Sequence, residues 1–145
     1  DRLLFVHSDP RLPEGAIEAV QSQYLPWGRF DVFVIGNHWM FPIISFFINL
    51  RSRWSRIATG DQAIFVDRDL FNRIGGFPDQ PLMEDVELSR RLKAVAAPAC
   101  LRLKVRTSGR RWETRGVWRT VFLMWRLRWA YWRGARPEDL ARVYR

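Results

Sequence analysis

RIATGDQAIFVDRDLFNRIGGFPDQPLMEDVELSRRL, Arg56 to Leu92, is the stretch whose reading decides the fold class. Within it AIFVD, Ala63 to Asp67, is a short run of β-favouring residues opened by the polar loop Thr59-Gly60-Asp61-Gln62, and it predicts a strand. RDLFNRI then reads as a short helical segment closed by Gly75-Gly76, because glycine takes the left-handed backbone that ends a helix. EDVELSRRLKAV sets Leu88, Leu92 and Val95 at helical spacing. The first turn of that second helix carries Glu84 and Asp85 against apolar Pro81-Leu82-Met83. Acids at this position oppose the partial positive charge of the free N–H groups, which on spacing alone accounts for them. A carboxylate at the rim of an apolar wall is also placed to act as a base, since partial desolvation raises a carboxyl pKa toward the useful range.

The same alternation extends outward in both directions. Upstream, Leu3 to Val6 is an apolar run ending in His7-Ser8-Asp9 and Pro10, a buried strand whose C-terminal end turns polar, where open α/β sheets place ligands. PEGAIEAVQSQYL predicts a helix with Ala16, Ile17 and Val20 on one face; RFDVFVIG predicts a strand, and about Ile43 to Ile57 a helix. Downstream, CLRLKVRTS alternates Leu101, Leu103 and Val105 with Arg102, Lys104 and Arg106, a strand with one solvated face. Gly116 to Arg133 predicts an amphipathic basic helix: Arg119, Arg126 and Arg133 recur every seven residues, Arg115 precedes Arg119 by four, and Val121, Phe122, Met124, Trp125, Trp129 and Trp132 fill much of the rest.

Composition bounds the function classes. A chain of 145 residues with 48% hydrophobic content fits one globular domain and argues against disorder. The single Cys100 cannot form an internal disulfide and no secretory leader opens the sequence, so a cytoplasmic setting is expected. Val32 to Leu50 lacks Asp, Glu, Lys and Arg, but Gly36-Asn37-His38 and Pro42 interrupt it, so it predicts a strand and an aromatic helix rather than a membrane span. The net charge of +9 is uneven: residues 1–101 hold 11 basic and 12 acidic side chains, residues 102–145 hold 13 and 3, with five of the eight tryptophans. That points to a phosphate-bearing partner: a nucleotide, a lipid surface or a nucleic acid. For the basic helix itself, docking on its own domain with solvated arginines and insertion among lipid headgroups both remain open, with nucleic-acid binding behind them.

Four constellations are candidates for chemistry. Asp9, with His7 beside it at the end of the first strand, suits a hard divalent cation on a diphosphate, or a turn. Gly60-Asp61-Gln62 offers hydrogen bonds to sugar hydroxyls or a base edge, or forms a turn. Gly75-Gly76 lets the backbone approach a ligand before the chain presents Glu84 and Asp85. In RTSGRRWE, read as a loop, Arg110 and Arg111 beside Trp112 could clamp a phosphate against an indole wall.

In this order the elements resemble the later part of a family 2 glycosyltransferase of the GT-A fold. The matching text is LLFVHSDPRLPEGA, the opening stretch, and VRTSGRRWETRGVWRTVFLMWRLRWAYWRG. It is most similar to the bacterial subgroup associated with radical-SAM and selenium-domain proteins, over essentially the whole chain. The resemblance implies an α/β partial GT-A fold, with a mixed central sheet flanked by helices and a C-terminal amphipathic helix. It divides the chain into residues 1–112, a partial catalytic domain, and 113–145, a basic aromatic helical segment.

The resemblance also implies an inverting transfer from a nucleotide-sugar to an acceptor hydroxyl, with Asp85 as general base and Glu84 as its catalytic neighbour. Asp9 and His7 would hold Mg2+ or Mn2+, and Asp61, Gln62, Gly76, Arg111 and Trp112 would contact substrate. Arg111 and Trp112 match the family's Gln-x-x-Arg-Trp signature, in which Ser108 here replaces Gln. The acceptor is open, a lipid-linked one at the inner membrane face included, and no nucleic acid is implied. The family's nucleotide-binding first half has no counterpart ahead of the first strand, so the 145-residue chain alone is expected to be inactive or very weak, with a sheet edge that invites a second copy. The alternative is a non-catalytic module that uses the basic helix to hold a membrane or nucleic acid.

Overall fold

The predicted alternation of strands and helices folds as an α/β unit. A computed structural model describes residues 1–6 and 10–144, apart from the side chain of Arg111. In chain order the elements are β1 (Arg2–Phe5), α1 (Ala16–Gln21), β2 (Trp27–Ile35), α2 (Phe41–Ser55), a 3-10 turn (Gly60–Gln62), β3 (Ile64–Asp67), α3 (Arg68–Arg73), α4 (Glu84–Lys93), β4 (Ala99–Ser108), α5 (Arg110–Arg115), α6 (Val117–Trp132) and α7 (Pro137–Tyr144). The sheet is mixed, in the order β1-β3-β2-β4: β3 runs antiparallel to β1 and β2, and β2 and β4 are parallel.

Period-two alternation sorts the strand residues onto two covered faces. Phe65 and Phe30 face Ala16 and Val20 of α1, whereas Ile64, Val66 and Trp27 face Leu70, Leu88 and Leu92 of α3 and α4. Burying each of these large side chains contributes roughly 1.5–3 kcal/mol, which fixes α4, and with it Asp85, against the sheet. The register pairs Phe5 with Ile64, so the chain leaves β1 on the same edge of the sheet as the Gly60–Gln62 turn enters β3.

α2 packs in an unusual sense. β3 pairs with β2 only from Trp27 to Arg29, and beyond that point α2 side chains serve the exposed strand backbone. Ser45 Oγ accepts from Val34 N (2.8 Å), and Asn49 both accepts from Val32 N (2.9 Å) and donates to Val32 O (3.0 Å). Satisfying those groups places the polar side of α2 inward, with Ser45, Asn49 and Ser52 buried. Phe41 and Ile44 are buried with them, while a second apolar set, Ile43, Phe46, Phe47, Leu50 and Trp54, is exposed, Trp54 by 89%.

Three sequence expectations need correction. RTSGRRWE is not a loop: β4 runs to Ser108 and α5 begins at Arg110. Gly109 N donates to Ile35 O (2.8 Å) and Glu113 Oε1 accepts from Asn37 N (2.9 Å), which pins this turn to the end of β2. Leu103 is 39% exposed rather than inward, because the register jumps from Phe30–Leu101 to Asp31–Lys104 and the resulting bulge rotates it out. Val95 lies beyond α4 and is exposed.

The C-terminal helices dock on the same body. Leu127 of α6 and Leu140 of α7 pack with Met83, Leu82 and Val86 beside the start of α4, and the expected division at residue 112 falls inside α5. On α6 the arginine period holds, but the aromatic residues do not form the docked face. Trp118, Phe122, Trp125, Trp129 and Trp132 are exposed at helical spacing beside Arg119, Arg126 and Arg133, while Val117, Thr120 and Leu127 are buried. Among the described residues no helix is long and apolar enough to cross a membrane.

Candidate functional site

The first turn of α4 is where the candidate chemistry gathers. Met83 takes a left-handed backbone (φ 63°) at the helix start, with its side chain buried beside Leu127. Asp85 accepts from Gly60 N through Oδ2 (2.7 Å) and from its neighbour Val86 N through Oδ1 (2.8 Å). The carboxylate therefore bridges α4 to the Gly60-Asp61-Gln62 turn, with its orientation fixed by two backbone donors. Glu84 opens the helix, half-buried, and with Glu87 supplies the acidic charge that a first turn favours; Arg90, Arg91 and Lys93 complement the other end.

Ser89, one turn along α4, keeps this bridge in place. Its Oγ accepts from Ala58 N (3.0 Å) and lies 3.1 Å from Ala58 O and 2.9 Å from Asp85 O, within reach as a donor to either. The segment that ends in Gly60 is thereby tied to the helix that carries Asp85. Asp61 is on the exposed side of the turn. Gln62 is fully buried, and its Oε1 accepts from Thr59 N (3.1 Å), so its carbonyl shapes the turn instead of facing solvent.

Two arginines that sequence reasoning passed over complete the neighbourhood. Arg51 comes from α2 and Arg128 from α6, helices that pack together through Phe41, Ile44, Ile48, Val117 and Val121. Burial, then repulsion from Arg128, pushes Arg51 down to about 9 against the attraction of Asp85. Burial likewise lowers Arg128, opposed by Asp85 and then Asp61. The four charged groups thus share one electrostatic environment. Arg51 Nε and Nη2 and Arg128 Nε are enclosed without a hydrogen-bond partner among the described residues.

A sequence signal for both existed. Arg128 falls outside the seven-residue period of Arg119, Arg126 and Arg133 and follows Val117 and Val121 at helical spacing, and Arg51 likewise follows Ile44 and Ile48.

The remaining expected residues are dispersed. Gly76 has φ 69° in the turn after α3, where a side chain would press on the Phe71 ring at 3.3 Å; Phe77 beyond it packs on Phe5 and Phe71. Trp112 lies on α5 against the Val34, Phe41 and Val117 cluster, a packing role, and Arg111 contributes its backbone to the same helix. His7 and Asp9 lie outside the described residues. Among the described residues no three His, Cys, Asp or Glu side chains group as metal ligands. Two surface clefts, about 380 and 460 Å3, flank Asp1 and Arg2 and are lined by none of Arg51, Asp61, Asp85 or Arg128. Searches against protein-family models, curated proteins and solved structures found no match to this chain.

Proposed function

We propose that the chain is the catalytic part of an inverting glycosyltransferase in which Asp85 removes the proton of an acceptor hydroxyl as its oxygen attacks the anomeric carbon of a nucleotide-sugar. The observation that carries this reading is the Asp85 carboxylate, held by Gly60 N and Val86 N at the sheet edge where β1 ends and β3 begins. A base must be fixed in position before it can be effective, and each Asp85 oxygen has lone-pair capacity beyond the one N–H it accepts. Asp61, on the exposed side of the adjoining turn, would face the sugar or acceptor. On this reading Asp9 and His7 would hold Mg2+ or Mn2+, which supplies positive charge for the departing diphosphate.

Peripheral contact with an anionic bilayer is part of the same proposal, and it favours a lipid-linked acceptor. Its support is the exposed aromatic stripe of α6, flanked by arginines, beside a neighbouring α2 that also exposes apolar side chains. The test is metal-dependent turnover of a panel of nucleotide-sugars by the protein expressed from its complete gene, wild type against Asp85→Asn. Wild-type turnover that drops about 100- to 10,000-fold in the variant supports the assignment; undiminished turnover removes Asp85 as the base.

A further inference from the structure

The enclosed arginines call for a ligand of their own. Asp85 attracts both arginines, but the hydrogen bonds its two oxygens make among the described residues come from the backbone N–H groups of Gly60 and Val86. Elsewhere in the chain buried arginines hold side-chain partners: Arg29 bonds to Asp31 and Asn49 O, leaving only its Nε without one, and Arg2 bonds to Asp67 and to the carbonyls of Val20 and Leu25. Among the described residues, Arg51 Nε and Nη2 and Arg128 Nε are instead shielded from solvent with no acceptor, and neither side chain has a hydrogen-bonded carboxylate of its own. Leaving charged donors unfilled is costly, and where folded proteins retain such groups a functional role or an acceptor supplied by water, an ion or a ligand accounts for them.

Two guanidinium forks arriving from different helices match the oxygens of a phosphate, which accepts paired N–H bonds from each. We propose that Arg51 of α2 and Arg128 of α6 form a clamp that binds a phosphate group beside Asp85. The inference rests on the transferase reading for its source of phosphate, either the diphosphate of a nucleotide-sugar or the phosphate of a phosphorylated acceptor. The clamp itself is tested without turnover. The carboxylates of Asp61 and Asp85 give the clamp selectivity. They leave the neighbourhood near neutral without ligand, and their repulsion restricts the phosphate to the arginine side.

The experiment is calorimetric binding of pyrophosphate in EDTA, so that no metal contributes, to wild type, Arg51→Met, Arg128→Met and the exposed-arginine control Arg126→Met. Wild type and Arg126→Met are expected to bind alike, and each clamp variant to lose at least about tenfold in affinity, the scale of a lost charged hydrogen bond. Without ligand, Arg51→Met is expected to melt at or above the wild-type temperature, because it removes an enclosed charge that lacks a partner; a lower melting temperature would assign Arg51 to structure and overturn the clamp. If Arg51→Met does not fold, that same conclusion holds for Arg51, and Arg128→Met with its own melting curve decides the other half. Equal binding by all four proteins, or none by wild type, also overturns the clamp.

Competition by a nucleoside diphosphate and by a short isoprenyl monophosphate identifies the source, since only the one that shares the clamp loses affinity in both variants. Arginine-dependent pyrophosphate binding with no sugar transfer would uphold the clamp and sink the transferase reading. Asp85-dependent transfer without arginine-dependent binding would do the reverse.

Discussion

Asp31 offers the sharpest test of how the frame around the site is held. It is a buried carboxylate on β2 that takes Arg29 on one oxygen and Arg53 (2.8 Å) on the other, which joins β2 to α2. Arg29 is fully buried, and its other side-chain bond is a long one to Asn49 O (3.4 Å). Asp31→Asn keeps the shape and removes the charge, so Arg29 is left as an enclosed cation with a neutral partner. Breaking one side of a buried pair costs about 3–5 kcal/mol. With an unfolding entropy of about 2.1 cal/mol/K per residue, a chain of 145 residues loses roughly 0.3 kcal/mol of stability per degree, and the melting temperature should fall by about 10–16 °C. Calorimetry on the two proteins reads this directly. The double variant Arg29→Met with Asp31→Leu, which removes both charges, should recover most of the loss. A single-variant fall of under about 3 °C, or a double variant worse than the single, would refute the reasoning.

Two further outcomes are expected. Ser89→Ala deprives buried Ala58 N of its acceptor and should cost about 1–3 kcal/mol, read as a melting shift of roughly 3–10 °C; because Ala58 leads into Gly60, turnover should fall with it, and an unchanged melting temperature would remove Ser89 from this role. Trp125→Ala with Trp129→Ala should weaken sedimentation with phosphatidylglycerol vesicles by at least about tenfold, and wild-type binding should fall with rising salt; binding that ignores both the tryptophans and salt would contradict the membrane surface.

What was legible in the sequence follows from the length scale of each signal. Period-two and helical patterns are local, and they placed β2, β3, α2, α4 and α6 within a few residues. The bulge that exposes Leu103 depends on pairing with β2, and nothing in CLRLKVRTS alone encodes it. The helix over Arg110–Arg115 is fixed by contacts to Ile35 and Asn37, which lie far away in sequence. Asp85 stood out because an acid pair beside an apolar run is visible locally. Its partners were not, since Gly60 N becomes a donor only when β3 and α4 pack. Arg51 and Arg128 disappeared into a basic background, and only their departure from the exposed faces of α2 and α6 distinguished them. The inverted orientation of α2 came from unpaired β2 backbone, a demand that hydropathy does not register.

The most direct measurement on Asp85 is the single-turnover rate of sugar transfer by the complete gene product, wild type against Asp85→Asn, with donor affinity measured in parallel. The rate should drop about 100- to 10,000-fold while donor affinity stays within about threefold, since the substituted amide can still accept from Gly60 N. Equal rates in the two proteins, or a loss confined to donor affinity, would contradict Asp85 as the base.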